Sequence, residues 1–145
     1  MTSYFPDVNL WVALNHDQHA HHSIANQWYL AQPESCLFIF CRQTQLGLFR
    51  VLSTPAIMGN EALTLEACWQ IFDRWAGTGQ VRWASESAES HALERRLRAR
   101  TAANSVSPKL WMDAYLAAFA ETAGLTLVTF DKALAGKAKG AVLLA

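Results

Sequence analysis

The chain has 145 residues, of which 52% are hydrophobic and 17% charged, and its 12 basic side chains balance its 12 acidic ones. This length suits a single domain over residues 1–145, and the apolar composition excludes a disordered chain. A net charge of zero excludes coating of nucleic acid by bulk charge, because that kind of binding needs many cations to meet the phosphates.

Hydrophobic periodicity predicts strands alternating with helices in the first half of the chain. The predicted elements are a strand over 3–8, helices over 9–14 and 18–32, a strand over 36–41, and helices over 45–52 and 64–76. Asp17 is predicted to cap the second helix. The run from Cys36 to Cys41 is continuously apolar, which is typical of a strand covered on both faces.

The same alternation continues in the second half. The predicted elements are a strand over 81–83, helices over 87–100 and 107–122, a strand over 125–130, a short helix to 137 and a strand over 141–144. Ser107 is the predicted N-cap of the second of these helices, with Pro108 in its first turn. Short apolar strands between helices predict an α/β/α sandwich of three layers with a central, mostly parallel sheet. In such sheets function sits at the carboxyl ends of the strands.

Cysteine usage and the absence of export signals predict the compartment. The three cysteines, Cys36, Cys41 and Cys68, form no C-x-x-C pair, so a zinc ribbon and a disulfide framework are both excluded and buried apolar roles are expected. No basic segment followed by an apolar one marks a signal peptide, and no run approaches the roughly 18 apolar residues of a membrane span. We expect a soluble protein of the reducing cytosol.

Three aspartates are candidates for a shared site. Asp7 and Asp131 each end a predicted strand and precede a helix, so each could also be a simple N-cap. Asp113 lies in an Ala-rich helix with large apolar neighbours. A carboxylate in such surroundings must be paired, ligated or hydrogen-bonded, and an ion pair with a nearby Arg is the structural alternative.

Three carboxylates at one edge of a sheet repel one another unless a cation neutralises them. Hard oxygen ligands without His or Cys select Mg²⁺ or Mn²⁺. Such an ion can lower the pKa of an attacking water and balance charge on a phosphodiester. Asn9 and Thr129 each lie two positions from an aspartate, and their neutral polar groups suit orienting the carboxylates.

Several short motifs carry a family resemblance. They are Asp7-Val8-Asn9-Leu10-Trp11, Gly47-Leu48-Phe49-Arg50-Val51-Leu52-Ser53, Met112-Asp113-Ala114-Tyr115-Leu116-Ala117-Ala118 and Val128-Thr129-Phe130-Asp131. In this order and at these separations they resemble PIN-domain proteins, and among them the VapC toxins of bacterial type II toxin–antitoxin systems. The resemblance covers essentially the whole chain.

The resemblance implies a compact α/β/α fold and an endoribonuclease that depends on Mg²⁺ or Mn²⁺. Family substrates are structured RNAs, commonly tRNA or a ribosomal RNA loop, and a tightly bound VapB-type antitoxin inhibits the enzyme. By carry-over, Asp7, Asp113 and Asp131 are expected to ligate the metal, with Asn9 and Thr129 in support. The family also implies homodimers, which assemble into larger toxin–antitoxin complexes.

Position 45 departs from the family pattern. The family usually places an acid just before the Gly-x-x-Arg stretch, where this chain has Gln45. A Gln carbonyl can support catalysis by holding water, yet it brings no charge. The site then has only the three negative charges of its aspartates, which favours one well-held metal ion over two. The alternative is a catalytically impaired PIN-like module that binds an antitoxin or RNA without cutting it.

Cations and aromatic side chains are the candidate contacts for RNA or antitoxin. Residues 1–72 have a net charge of −3 and residues 73–145 of +3. The densest basic group is on one predicted helix, at Arg95, Arg96, Arg98 and Arg100; an ordinary solvated face is the alternative. Lys109, Lys132, Lys137 and Lys139 could extend it. Trp11 and Trp28 are candidates for exposure in an apolar groove that takes an antitoxin segment.

Four histidines, at positions 16, 19, 21 and 22, cluster between the first two predicted helices. His-x-x-His spacing occurs in metal sites, but Asp17 is the one acidic residue nearby in the sequence and no Cys accompanies it. The sequence therefore favours a solvated helix start over a metal site.

Overall fold

Five parallel strands form the centre of the molecule. The computed structural model describes residues 1–87 and 91–145. The strands are β1 (Ser3–Pro6), β2 (Leu37–Phe40), β3 (Val81–Trp83), β4 (Thr126–Thr129) and β5 (Val142–Leu143), in the spatial order β3-β2-β1-β4-β5. All four neighbouring pairs are parallel, with Tyr4 opposite Phe38 and Pro6 opposite Val128.

Helices connect the strands and cover both faces of the sheet. They are α1 (Val8–Asn15), α2 (His22–Leu30), α3 (Arg42–Leu52), α4 (Pro55–Met58), α5 (Leu65–Ala76), α6 (Ala92–Arg100), α7 (Leu110–Ala123) and α8 (Lys132–Ala135). A 3₁₀ turn, Gly59–Glu61, follows α4. Among the helices described, none is both long and apolar enough to cross a membrane.

Alternation along β2 places its side chains on two separate cores. Phe38 and Phe40 pack with buried side chains of α1, α3 and α5, whereas Ile39 packs with those of α6 and α7. The strand is thus covered on both faces, as its continuous apolar run predicts. The three-layer α/β/α sandwich with a parallel sheet is confirmed.

The chain changes direction across the sheet between β1 and β4. It moves outward from β1 through β2 to β3 and then returns by way of α6 and α7 to β4, on the other side of β1. A crevice opens outside the carboxyl ends of the strands at such a switch point. Asp7 and Asp131, which follow β1 and β4, are therefore placed at its mouth.

The segment before α2 differs from the prediction. The helix predicted over 18–32 begins at His22, and Asp17 does not cap it. The residues between are in turns, in which the amides of His19 and His22 donate to the carbonyls of His16 and His19, each at 3.0 Å. His19 Nδ1 also accepts from the His21 amide at 3.0 Å, and this local bond competes with helical ones, so the helix begins later.

Two other boundaries also differ. α7 begins at Leu110, and Ser107 is not its N-cap; the Leu110 amide instead donates to the Ser107 carbonyl at 3.0 Å. The short α4 and the 3₁₀ turn after it were not predicted, because four-residue helices leave no periodic pattern. Of the helix predicted over 87–100, residues 88–90 lie outside the described residues, and α6 begins at Ala92.

Trp11 is a correction to the predicted partner contacts. Its side chain is 0% exposed, stacked on Phe40 at a centroid distance of 3.9 Å and against the edge of Trp75. A side chain in this layer between α1 and the sheet cannot contact RNA or an antitoxin. All three cysteines are free and buried, which confirms their apolar role.

Candidate metal centre

Asp7 is a buried carboxylate at the end of β1. It is the N-cap of α1, and its Oδ1 accepts a hydrogen bond from the Leu10 amide at 2.9 Å. Its own amide continues the pairing of β1 with β4 by donating to the Val128 carbonyl at 3.0 Å. With 4% of its surface exposed, the carboxylate loses most of its hydration. Burial is the largest cause that raises its pKa from 3.8 to about 6.

Thr129 connects the two strand-end aspartates. This fully buried hydroxyl donates to Oδ2 of Asp7 and accepts from the Asp131 amide at 2.9 Å. The position follows from the register, because Pro6 lies opposite Val128 and the next residues on each strand are then neighbours. One hydroxyl thereby fixes the orientation of Asp7 and the backbone of Asp131.

Asp131 is more exposed than Asp7 and is bound on both carboxylate oxygens. As N-cap of α8, its Oδ1 accepts from the amides of Ala133 and Leu134 at 2.9 and 3.2 Å. Lys109 Nζ lies 3.2 Å from Oδ2. The bond from the Leu134 amide is the largest cause that lowers the pKa of Asp131, so this carboxylate is ionised at neutral pH.

Asp113 reaches the same region from the first turn of α7. Small buried residues, Ala114, Ala117 and Ala118, line the inner side of this helix and allow it to lie close to the sheet, where Phe119 stacks on Phe5 at 5.2 Å. Burial and then the charge of Asp131 raise the pKa of Asp113, while Lys109 and Lys137 act in the opposite direction.

The three aspartates are electrostatic neighbours. Both Asp131 and Asp113 raise the pKa of Asp7, and Asp131 raises that of Asp113. Three carboxylates offer only oxygen ligands, and their negative charges repel one another. A hard divalent cation suits such a group, because its charge relieves the repulsion. The site is open in this conformation: in the part of the chain that the structure describes, these three carboxylates do not form a group with ligand atoms within 4.8 Å of one another.

Gln45 and Asn9 have contacts apart from the three aspartates. Gln45 is 2% exposed, and its Oε1 accepts from Arg42 Nη1 at 2.6 Å. It lines a cavity with Val81 and Trp83, next to α5. A carbonyl that already receives a guanidinium is poorly placed to accept a metal ion, and a catalytic part for Gln45 stays a prediction. Asn9 is exposed on α1, and its side chain has no hydrogen bond among the described residues.

The predicted arginine cluster is divided by its contacts. Arg96 and Arg100 face α7, where both pair with Glu121, and Arg96 also donates to Thr122 at 3.1 Å. Arg98 pairs with Glu94 at 3.3 Å within α6, and Arg95 is exposed. Arg96 and Arg100 therefore join two helices, and Arg95 and Arg98 are the members with the greater access to a ligand.

One acidic residue at this edge of the sheet was missed in the sequence. Glu86 follows β3, and burial and then the negative charge of Glu86 raise the pKa of the phenol of Tyr115, which lies two residues after Asp113. The sequence signal for Glu86 is an acidic residue just after a predicted strand. The strand predicted over 81–83 has only three residues, which is too short to single out the residues after it as candidates.

Sequence comparison identifies the family of this fold. A family model for the PIN domain matches residues 4–140, which is nearly the whole chain. The chain is 37% identical over 130 residues to the ribonuclease VapC41 of Mycobacterium tuberculosis, a match that covers 88% of each protein.

Two solved structures show the same fold at lower sequence identity. The crystal structure of VapC20 of Mycobacterium tuberculosis, a toxin that cleaves the sarcin–ricin loop, has a TM-score of 0.64 at 18% identity and covers 92% of this chain and 93% of that one. A toxin–antitoxin complex from Klebsiella pneumoniae has a TM-score of 0.56 at 15% identity, with coverage of 96% and 95%.

Proposed function

The chain belongs to the PIN-domain family, among the VapC ribonucleases, and we propose that it is a divalent-metal-dependent endoribonuclease toxin that cuts structured RNA, either tRNA or ribosomal RNA. The observation that carries the proposal is the trio of aspartates at the switch point of the sheet. Asp7, Asp113 and Asp131 come from three separate elements, and the charge of Asp131 raises the pKa of both other carboxyls, as that of Asp113 does for Asp7.

Asp7, Asp113 and Asp131 are the residues that would bind Mg²⁺ or Mn²⁺. When bound, such an ion supplies charge neutralisation and Lewis-acid activation for phosphodiester hydrolysis. Thr129 orients Asp7 through the hydroxyl bond, and the Leu10 amide fixes the other oxygen of the same carboxylate. Asn9 remains a proposed support on α1.

Lys109 is the cation best placed to position a phosphate. It is exposed, and it already lies 3.2 Å from Asp131, so a small change of its side chain allows it to contact an RNA phosphate beside the carboxylates. Arg95 and Arg98 on α6 are proposed as further backbone contacts. A local set of cations is sufficient to bind one structured RNA, and it needs no net positive charge on the whole protein.

An antitoxin is the proposed protein partner. Large apolar side chains are exposed on α3, α4 and α5, at Leu46, Ile57, Leu65 and Trp69, and several exposed apolar side chains on neighbouring elements support a protein interface there. We further propose a VapB-like antitoxin, a homodimeric toxin and action in the cytoplasm, where the RNA substrates are. Light scattering of the free protein and of a co-expressed pair measures both assembly states.

The test is cleavage of a panel of tRNA and ribosomal RNA substrates in Mg²⁺, in Mn²⁺ and in EDTA. Cleavage by the wild-type protein is expected with either metal and not in EDTA. Asp113→Asn removes one ligand charge and is expected to lower the cleavage rate by roughly 100-fold or more. Asp73→Asn, an exposed carboxylate on α5, is the matched control and should cut normally.

Cleavage that persists in EDTA or in Asp113→Asn contradicts the metal mechanism. A wild-type protein that binds its antitoxin but cuts no RNA under any of these conditions is instead the impaired interaction module.

A further inference from the structure

A second group of ligand side chains lies at the opposite end of α1 from Asp7. His16, Asp17 and Glu61 each offer one ligand atom, and these three atoms all lie within 4.8 Å of one another. His16 follows the last residue of α1, so at 1.5 Å per residue the group lies about 13 Å along the helix from Asp7. It is therefore distinct from the three aspartates.

Only the tertiary fold brings this group together. His16 and Asp17 are in the turn after α1, and Glu61 ends the 3₁₀ turn after α4. The 3₁₀ turn is fixed by the burial of Met58 just before it and by the Leu63 amide, which donates to the Leu52 carbonyl at 2.8 Å. The carboxylate of Glu61 is thus presented to His16 by an exposed turn that is anchored at Met58 and at Leu63.

The spacing of the donors suits a small divalent ion. His16 Nδ1 and Glu61 Oε2 are 3.5 Å apart, which is longer than the roughly 2.7–3.2 Å of an ordinary N–H···O hydrogen bond. Ligands at about 2.0–2.1 Å from a tetrahedral metal are separated from one another by about 3.3–3.4 Å. The two side chains are therefore nearly at ligand spacing already.

The surroundings of the group also favour a cation. His16 has a side chain only 15% exposed, and the carboxyl end of α1, where it lies, is the negative end of the helix dipole. His22 lines the same cleft, beside Leu52 and Met58. Its Nδ1 lies 2.6 Å from the Ala13 carbonyl, and because a carbonyl only accepts, Nδ1 is the donor, which leaves the lone pair of a neutral imidazole on Nε2.

This orientation of His22 is the one that metal-binding histidines take, with the other ring nitrogen donating to a backbone carbonyl. Imidazole together with carboxylates selects ions of borderline softness, such as Zn²⁺, Co²⁺ or Ni²⁺, over Mg²⁺. The donor set thus differs in chemistry from the all-oxygen site at the other end of α1.

We propose that His16, Asp17 and Glu61 form a binding site for a divalent transition-metal ion of the Zn²⁺ class, which joins the α1–α2 connection to the segment after α4. Three protein ligands leave one position for water, with the His22 imidazole on the wall of the same cleft. The site connects two segments that are far apart in the chain and does not depend on the nuclease proposal.

Co²⁺ is the probe, because its visible absorption reports tetrahedral coordination. The untagged full-length protein is titrated with Co²⁺ and then with Zn²⁺ in excess Mg²⁺, which saturates hard-ion sites but does not compete for imidazole. We expect one equivalent of Co²⁺ with an intense tetrahedral spectrum, displaced by Zn²⁺, and a higher melting temperature with Zn²⁺.

Two ligand variants and two matched controls locate the ion. His16→Ala and Glu61→Gln are expected to weaken Co²⁺ binding on the order of 100-fold, whereas His91→Ala and Glu66→Gln, both exposed and in other elements, should bind as the wild type does. Circular dichroism shows whether each variant is folded before titration. No tetrahedral spectrum in the wild type, or equal binding by Glu61→Gln, overturns the proposal.

Discussion

Asp7 is a carboxylate that the fold buries where water cannot solvate its charge. The two hydrogen bonds that it accepts lower its pKa, but burial outweighs them, and the result is a pKa of about 6 in place of 3.8. As pH rises, the Asp7 carboxyl therefore keeps its proton to a higher pH in the folded protein than in the unfolded protein. The free energy of unfolding therefore falls as pH rises from about 4 to 6 and levels off above that range.

This pH dependence gives a prediction for Asp7→Asn. The variant removes the buried charge and keeps an N-cap residue, so without metal it should be more stable than the wild type at pH 7, by about 3 kcal/mol for a pKa raised from 3.8 to about 6. Urea unfolding in EDTA at pH 4, 5, 6 and 7 measures the difference between the two proteins.

The difference should be near zero at pH 4 and largest at pH 7. Asp73→Asn controls for the loss of one negative charge from the chain. A difference that does not grow with pH contradicts a raised pKa for Asp7. The same Asp7→Asn protein should also lose the stabilisation that Mg²⁺ or Mn²⁺ gives to the wild type.

Lys109 neutralises part of the site when no metal is bound. Its ammonium group hydrogen-bonds to Asp131, and this bond raises the pKa of the lysine. Lys109→Gln should therefore tighten Mn²⁺ binding by roughly two- to fivefold while the cleavage rate falls, because the phosphate loses a cation. Calorimetry and single-turnover cleavage measure the two effects, with Arg74→Gln, an exposed cation on α5, as control. Weaker Mn²⁺ binding is the contrary result.

At the scale of the elements, α1 and α3 approach each other at Gly47. A Cβ built there would lie 2.5 Å from Val8 Cγ2, so only glycine permits this packing. Val8 directly follows Asp7, so this contact lies beside the site. In this position the lack of a side chain outweighs the low helix propensity of glycine.

Gly47→Ala should accordingly destabilise the protein by about 1–2 kcal/mol, because overpacking costs more than the gain in helix propensity. In a Val8→Ala background the clash is removed, and the same change should become neutral or stabilising. A double-mutant cycle by urea unfolding measures this coupling. Equal effects of Gly47→Ala in both backgrounds would show that Val8 is not the obstacle.

Over the whole molecule, a formal charge of zero excludes only bulk attraction of RNA. The acidic groups of the site lie at one edge of the sheet, and α6 and the start of α7 supply exposed cations at Arg95, Arg98 and Lys109. If only a few of these cations contact RNA phosphates, we expect the RNA affinity to fall only slightly as the salt concentration rises. Each contact contributes about −0.7 to −0.9 to the slope of log K against log salt.

RNA binding is best measured with the Asp113→Asn protein, which is expected not to cut its ligand. Arg95→Gln with Arg98→Gln should reduce the magnitude of the salt slope by roughly 1.5. Arg74→Gln, on α5 at the other face of the sheet, should leave it unchanged. If the double variant keeps the slope but binds the antitoxin more weakly, α6 contacts the protein partner and not RNA.

The sequence by itself determined the class of the fold and identified the three aspartates as candidates for one site. Apolar runs of strand and helix period are local patterns, and they identified the five strands, the larger helices and the order that places Asp7 and Asp131 at strand ends. The motif around Asp113 added the third acid. These features could be predicted because each depends on residues close together in the chain.

The tertiary structure alone decided which side chains meet. Thr129 donates a hydrogen bond to Asp7, and Gln45 accepts one from Arg42. Trp11 packs against Phe40 and Trp75, and Glu61 lies beside His16. Arg96 and Arg100 are likewise drawn to Glu121 on another helix. Such contacts join segments far apart in the chain, and they depend on the register of the sheet and the packing of helices, which no local pattern specifies.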